Sequence, residues 1–130
     1  MQMIARNPTQ GIYPATSDYV HAMEVRNPAR FLYVAGTMGL DEKGVAGKSL
    51  SEQLDLIWRN IRAILASADM SVDNIVRLTS YLRDPAYAEE NAKARVKALN
   101  GRIIPTIGIV AQTLVSEWLV EIEVVAAAKV

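Results

Sequence analysis

The sequence predicts an α+β domain in which a single mixed β-sheet carries two helices packed on one face. Three observations predict it. Apolar residues recur at helical steps from Leu50 to Ala68, and a second helix is announced by Asp84-Pro85. Runs rich in β-branched residues flank both helices. Two helices cannot cover both faces of a sheet of five or six strands, so one face is left for something else.

The elements follow in order. After a loop-like start with Pro8, Gly11 and Pro14, and a short strand near Ile4, YVHAMEV (19–25) alternates weakly and reads as a strand. RNPAR (26–30) is a turn, because Asn-Pro disfavours helix, and FLYVAG (31–36) is a β-rich run that would close a hairpin with the preceding strand. GLDEKGVAG (39–47) is a polar loop whose glycine spacing lacks the lysine and serine of a phosphate loop. Ser49 stands three residues before Glu52, the spacing of a capping box, and Leu50, Leu54, Ile57, Ile61, Ile64 and Ala68 form the stripe of the first helix. Residues 69–73 close it. NIVRLTSYLRD (74–84) reads as a strand with Val76, Leu78, Ser80 and Leu82 on one side and Arg77, Thr79 and Tyr81 on the other. The second helix runs from Asp84-Pro85 to a stop at Asn100-Gly101. IGIVAQTL (107–114) and WLVEIEVVA (118–126) supply the last strands, giving β-β-α-β-α-β-β.

Composition narrows the function. The 130 residues fit one domain, 1–130, and a hydrophobic fraction of 51% supplies its core. Fourteen basic residues balance 14 acidic ones, so no net field draws the chain to nucleic acid or a membrane surface. No run approaches the roughly 20 apolar residues of a bilayer span. The start, MQMIARNPTQ, has no hydrophobic signal region, and a cytoplasmic location is expected by default. The lack of cysteine removes disulfides and thiolate chemistry, and the single histidine, His21, removes multi-histidine metal sites. No cofactor or metal is expected.

The final strand raises the functional question. Glu121 and Glu123 fall on one face of a hydrophobic strand, about 7 Å apart. Either that face is solvated, or one acid lines a pocket and does chemistry. The uncovered sheet face carries too many apolar and small residues for water, so a homo-oligomer with packed sheets is expected.

The pattern resembles the RidA/YjgF family, small proteins with a chorismate mutase-like fold that are typically homotrimers. The resemblance rests on YVHAMEV, YVAGTMGLD, SLSEQLDLIWRNIRAILASADMSVDNIVRLTSYLRD, and PTIGIV followed by LVEIEVVAA, from about Tyr19 to Ala127. It implies pockets between subunits that take a small-molecule imine or enamine. In deaminating members an arginine two residues after a proline binds the substrate carboxylate, and a glutamate of the last strand positions the attacking water. Here Pro105 is followed two positions on by Ile107, and Ile109 stands where such members commonly have cysteine. The glutamate is present as Glu121. Carried over residue by residue, the pocket also contains Tyr19, the Gly36-Thr37 turn and Asn91. The connection from the proline to the last strand is one residue shorter than in the deaminases.

An aliphatic residue cannot replace the planar fork of an arginine on a carboxylate, and losing a charged hydrogen bond costs about 1.5–3 kcal/mol. The resemblance therefore implies a changed ligand, less charged or more apolar. Arg102, five residues before Ile107, is more naturally a solvated loop residue than a replacement. His21 shares the strand parity of Tyr19 and would reach the same pocket, although a lone histidine is more often structural. Trp58 and Trp118 read as core or interface residues. Asn91 is a poor helix former inside a helix, marking either a functional contact or a surface accident. Three functional classes stand open: a hydrolase converting an imine or enamine to a carbonyl compound and ammonia, a non-catalytic small-molecule-binding trimer, and, most distant, a ribonuclease. Burial would raise the pKa of Glu121 and make it a usable base beside Tyr19, with Glu123 beyond the reacting centre.

Overall fold

The computed structural model describes all 130 residues. Strands β1 (Gln2–Arg6), β2 (Ala22–Arg26), β3 (Arg30–Tyr33) and β4 (Thr37–Met38) precede helix α1 (Leu50–Ser67). Then come β5 (Ile75–Leu82), α2 (Ala88–Ala98), β6 (Thr106–Val110) and β7 (Val120–Ala128). The fold is α+β, with a mixed sheet and two helices.

The strands divide between two sheets rather than forming the expected single one. The five-stranded sheet has the order β3-β7-β5-β6, with β4 continuing beside β7. β7 is antiparallel to β3, β4 and β5, whereas β6 runs parallel to β5 after the α2 crossover. The expected hairpin of 19–25 with 31–36 does not form. Instead β2 pairs with β1, from Gln2–Arg26 to Arg6–Ala22, and β3 pairs with β7. Asn27, in the left-handed region at φ 53°, and Pro28, which has no N–H, turn the chain out of the β1–β2 ladder. Glu24 reinforces that ladder through ion pairs with Arg6 (2.7 Å) and Arg26. The strand expected from Tyr19 begins only at Ala22, and that expected to reach Leu114 ends at Val110.

Helix α1 starts where its cap predicts. Ser49 Oγ accepts from the Glu52 N–H at 3.1 Å, while the Glu52 carboxylate accepts from the Lys48 N–H at 2.8 Å instead of closing the box on Ser49 itself. Its buried stripe is Leu54, Ile57, Trp58, Ile61 and Leu65, whereas Ile64, expected within it, lies at its exposed margin. Asp84 caps Pro85–Tyr87, a turn of 3-10 helix that leads into α2. Asn100 and Gly101, with φ of 53° and 77°, end α2 at the expected stop. No helix is long and apolar enough to cross a membrane.

Alternation along β7 sets the two faces of the main sheet. Val120, Ile122, Val124 and Ala126 are buried with Leu78 and Leu82 of β5 and with the apolar sides of α1 and α2, forming one core. Glu121, Glu123 and Val125 point the other way, beside Tyr81, Thr79 and Arg77 of β5. Burying the core parity of a nine-residue strand contributes about 1.5–3 kcal/mol for each large aliphatic side chain, which fixes the register and so the direction of both glutamates. The outer face is left open. Strand β6 pairs on one side only and carries Ile107, Gly108, Ile109 and Val110, all exposed.

Candidate functional site on the open face of the sheet

Cross-strand register brings the site together. Ile109 pairs with Tyr81, Tyr81 with Glu121, and Glu121 with Met38, so one row crosses four strands. The adjacent row is Ile107, Thr79 and Glu123. Beside Glu121 lies a hollow of about 310 Å³, lined by Tyr81, Ala111, Gln112, Thr113, Leu114 and Glu121. A smaller hollow of about 190 Å³ adjoins Glu123 and is bordered by Tyr33, Arg77 and Thr79.

The two glutamates differ in their surroundings. Burial pushes the Glu121 carboxyl above the usual carboxylate range, with no neighbouring cation to oppose the shift. Its Oε2 lies so close to Gly36 that a Cβ there would stand 2.7 Å away. Glu123 accepts a 2.6 Å hydrogen bond from the Tyr81 hydroxyl. That bond, ahead of desolvation and the charges of Glu123 and Glu121, raises the Tyr81 pKa and keeps the phenol protonated.

The loop over the hollow is tied from two sides. Arg83 Nη1 donates to the carbonyl and hydroxyl oxygens of Thr113, both at 3.0 Å, and Thr113 Oγ1 lies 2.7 Å from the Trp118 carbonyl. On the helix side, the buried Gln53 donates to the carbonyls of Gly47 (2.9 Å) and Glu117 (2.8 Å) and accepts from the Leu119 N–H (2.9 Å). Leu119, the residue that leads into β7 and stands two before Glu121, is therefore anchored to α1.

Of the residues expected at the site, Glu121 and Gly36 meet within one chain, whereas Ile107 and Ile109 share the open face but lie beyond β5 and do not line the Glu121 hollow of their own chain. Thr37 does not join them with its side chain. It pairs with Ile122 on the helix side, is buried, and its hydroxyl donates to the Ala35 carbonyl at 3.0 Å. Tyr19 packs edge-on against His21, with ring centroids 5.9 Å apart, and does not line the Glu121 hollow of its own chain. His21 Nε2 lies 2.9 Å from the Tyr13 carbonyl, and its backbone N–H donates to Asn7, so the ring ties the loop before β2. Asn91 is buried in α2 with its Oδ1 unpartnered, which removes the surface-accident reading. Arg102 donates to the Val72 carbonyl at 3.2 Å, its other nitrogen lies 3.2 Å from Met3 Sδ, and burial lowers its pKa; it does not line the Glu121 hollow. Trp58 is a core residue.

Sequence reasoning missed Tyr81, Thr113 and Gln53. The polar parity of Arg77, Thr79 and Tyr81 was the available signal for Tyr81, but its meeting with Glu121 depends on the β5–β7 register. No group of three or more histidine, aspartate or glutamate side chains is arranged to hold a metal ion. The arrangement provides a partly desolvated carboxyl group, its pKa raised by burial, in a hollow walled by apolar and neutral polar groups.

Residues 10–128 match the family described as Endoribonuclease L-PSP. Protein MMF1, mitochondrial, of Saccharomyces cerevisiae is 38% identical over 82 residues, 61% of this chain and 54% of that protein. The chain spans about half the length of that relative and of the RutC family proteins that it matches in Aquifex aeolicus and Pyrococcus abyssi. The crystal structure of YyfB, a Rid-family protein of unknown function from Yersinia pestis, superposes with a TM-score of 0.81 at 27% identity, over 98% of this chain and 99% of that one. That of yeast Mmf1 superposes with a TM-score of 0.71 at 26% identity, over 98% and 100%. The fold and the family match over almost the whole chain identify this protein as a member of the Endoribonuclease L-PSP family, the group also called RidA/YjgF.

Proposed function

We propose that the protein hydrolyses a small imine or enamine to a carbonyl compound and ammonia, with a substrate preference altered from that of arginine-bearing relatives. The supporting observation is Glu121. It stands at the position of the family's water-positioning glutamate, in a hollow on the open sheet face, with its carboxyl pKa raised by burial. It acts as general base towards the water that adds to the C=N carbon. Ile107 occupies the place of the carboxylate-binding arginine, and Ile109 that of the cysteine.

The functional unit in this reading is a homotrimer in which neighbouring copies cover the open faces and complete the pockets. Tyr33, Ile107 and Ile109, respectively 76%, 44% and 42% exposed in one chain, then become interface or pocket surface. Tyr19 and the Gly36-Thr37 turn contribute to the pocket, Tyr19 from the adjacent copy and Thr37 through its backbone. Asn91 is assigned to the pocket by resemblance alone.

The decisive experiment is ammonia release from imines generated in the assay by an amine oxidase, with and without the protein. Turnover that is lost in Glu121→Gln supports the hydrolase. No acceleration across carboxylate-bearing and carboxylate-free imines would leave the second reading, a non-catalytic small-molecule-binding trimer, which Ile107 favours. RNA cleavage has little support: the charges balance at 14 and 14, and neither lysine nor arginine lines the Glu121 hollow.

A further inference from the structure

Beside its carboxyl group, the Glu121 hollow is lined by the apolar Ala111 and Leu114 and by the neutral polar Tyr81, Gln112 and Thr113. The hollow contains one carboxyl group and no lysine, arginine or histidine. The single hydroxyl proton of Tyr81 is directed to Glu123 Oε1 at 2.6 Å, which leaves the phenolic oxygen as an acceptor towards a ligand beside Glu121. The nearest arginines do not reverse this balance. Arg83 directs Nη1 to the carbonyl and hydroxyl of Thr113, and Arg77 borders the neighbouring hollow. Ile109 stands next to Tyr81 on the β6 side.

An anionic ligand would meet a carboxyl group and no cation there, with the neutral Gln112 amide as a donor. A protonated nitrogen would meet two acceptors, one of them backed by a second carboxylate, and charge-assisted bonds of this kind are roughly twice as strong as neutral ones.

We propose that this hollow recognises a protonated nitrogen on a carboxylate-free alkyl group, its N–H groups donating to Tyr81 Oη and the Glu121 carboxylate and its alkyl group lying towards Ile109 and Leu114. The substrate class is therefore the iminium ion derived from a simple amine rather than from an amino acid. Its chemical step rests on the hydrolase reading; its binding step does not. In that step R₂C=NH₂⁺ and H₂O give R₂C=O and NH₄⁺. Water oxygen bonds to carbon, the C–N bond breaks with its electron pair on nitrogen, and both water protons end on the departing ammonium. Glu121 carries a proton from water towards nitrogen. Tyr81, held by Glu123, is the specificity-determining residue.

The test compares isobutylammonium chloride with sodium isobutyrate at fixed ionic strength, followed by calorimetry and NMR on the full-length protein. Isobutylammonium is expected to bind at least tenfold more tightly than isobutyrate. Tyr81→Phe, which keeps the ring and loses the acceptor, should weaken isobutylammonium about tenfold and leave isobutyrate unchanged, a selectivity shift that a purely structural role would not produce. Glu123→Gln reads the same pair if Tyr81→Phe melts early, and should weaken isobutylammonium in the same direction. Isobutyrate binding as tightly as isobutylammonium, no isobutylammonium binding, or unchanged affinity in both variants would overturn the proposal. The expected binding pattern with no hydrolysis of the isobutyraldehyde iminium would support the site and sink the hydrolase reading.

Discussion

Gly36 and Glu121 approach each other more closely than any side chain at position 36 would permit, since a Cβ there would lie 2.7 Å from Glu121 Oε2. The atom that would have to yield is the end of a flexible side chain, so Gly36→Ala should fold with little loss of stability. The carboxylate would be displaced, and misplacing a reacting group by about 1 Å costs on the order of 10²-fold in rate. Unchanged turnover in Gly36→Ala would show that the position of Glu121 Oε2 is not critical.

Glu121→Gln should retain the assembly and reduce imine hydrolysis by about 10²- to 10⁴-fold, because the amide cannot accept a proton. Glu123→Gln should cost much less. Steady-state rates on one substrate distinguish them, and equal losses would make the acid pair structural.

The raised pKa of Glu121 also makes a stability prediction. A carboxyl group whose folded pKa lies above its unfolded value binds more protons when folded, so stability falls as pH rises from about the ordinary value of 4.5 through the higher folded one. Glu121→Gln should therefore melt close to wild type near pH 4 and above it near pH 7. Melting curves at the two pH values check the sign; a variant less stable at pH 7 alone would contradict burial as the cause.

Ile107→Arg should improve hydrolysis of 2-aminoacrylate, which the wild type should process poorly. One charged hydrogen bond sets the scale, about 10- to 150-fold in substrate affinity. Wild-type turnover matching that of arginine-bearing relatives would defeat the prediction.

Light scattering should give three times the 14.3 kDa of one chain. Placing a charge on the open face, as in Ile109→Asp, should shift the protein towards the single-chain mass. A wild-type mass near that of one chain would rule the trimer out.

Helical periodicity and caps made α1 and α2 legible, and the β-branched composition of Ile75–Leu82 and the alternation of Val120–Ala128 revealed β5 and β7. Pairing was less visible. The Asn27-Pro28 turn looks like a hairpin connection in isolation, yet Gln2–Arg6 captures β2 and β7 captures β3. The direction of Thr37 likewise follows from its pairing with Ile122, a contact 85 positions along the chain that no local pattern encodes. The role of Tyr81 depends on pairing in the same way. The acid opposite it was conspicuous, whereas the tyrosine acquires its meaning only from register.

The uncapped border of β6 bears on how the protein is made. Thr106–Val110 presents one unpaired row of backbone donors and acceptors, with no charge or proline within the strand to discourage another strand from joining it. An isolated copy would thus carry an aggregation hazard along this edge. In the trimer proposed above, dilution or any substitution that loosens the assembly would leave this short apolar template exposed, so insoluble protein would signal failed association even when each chain has folded correctly.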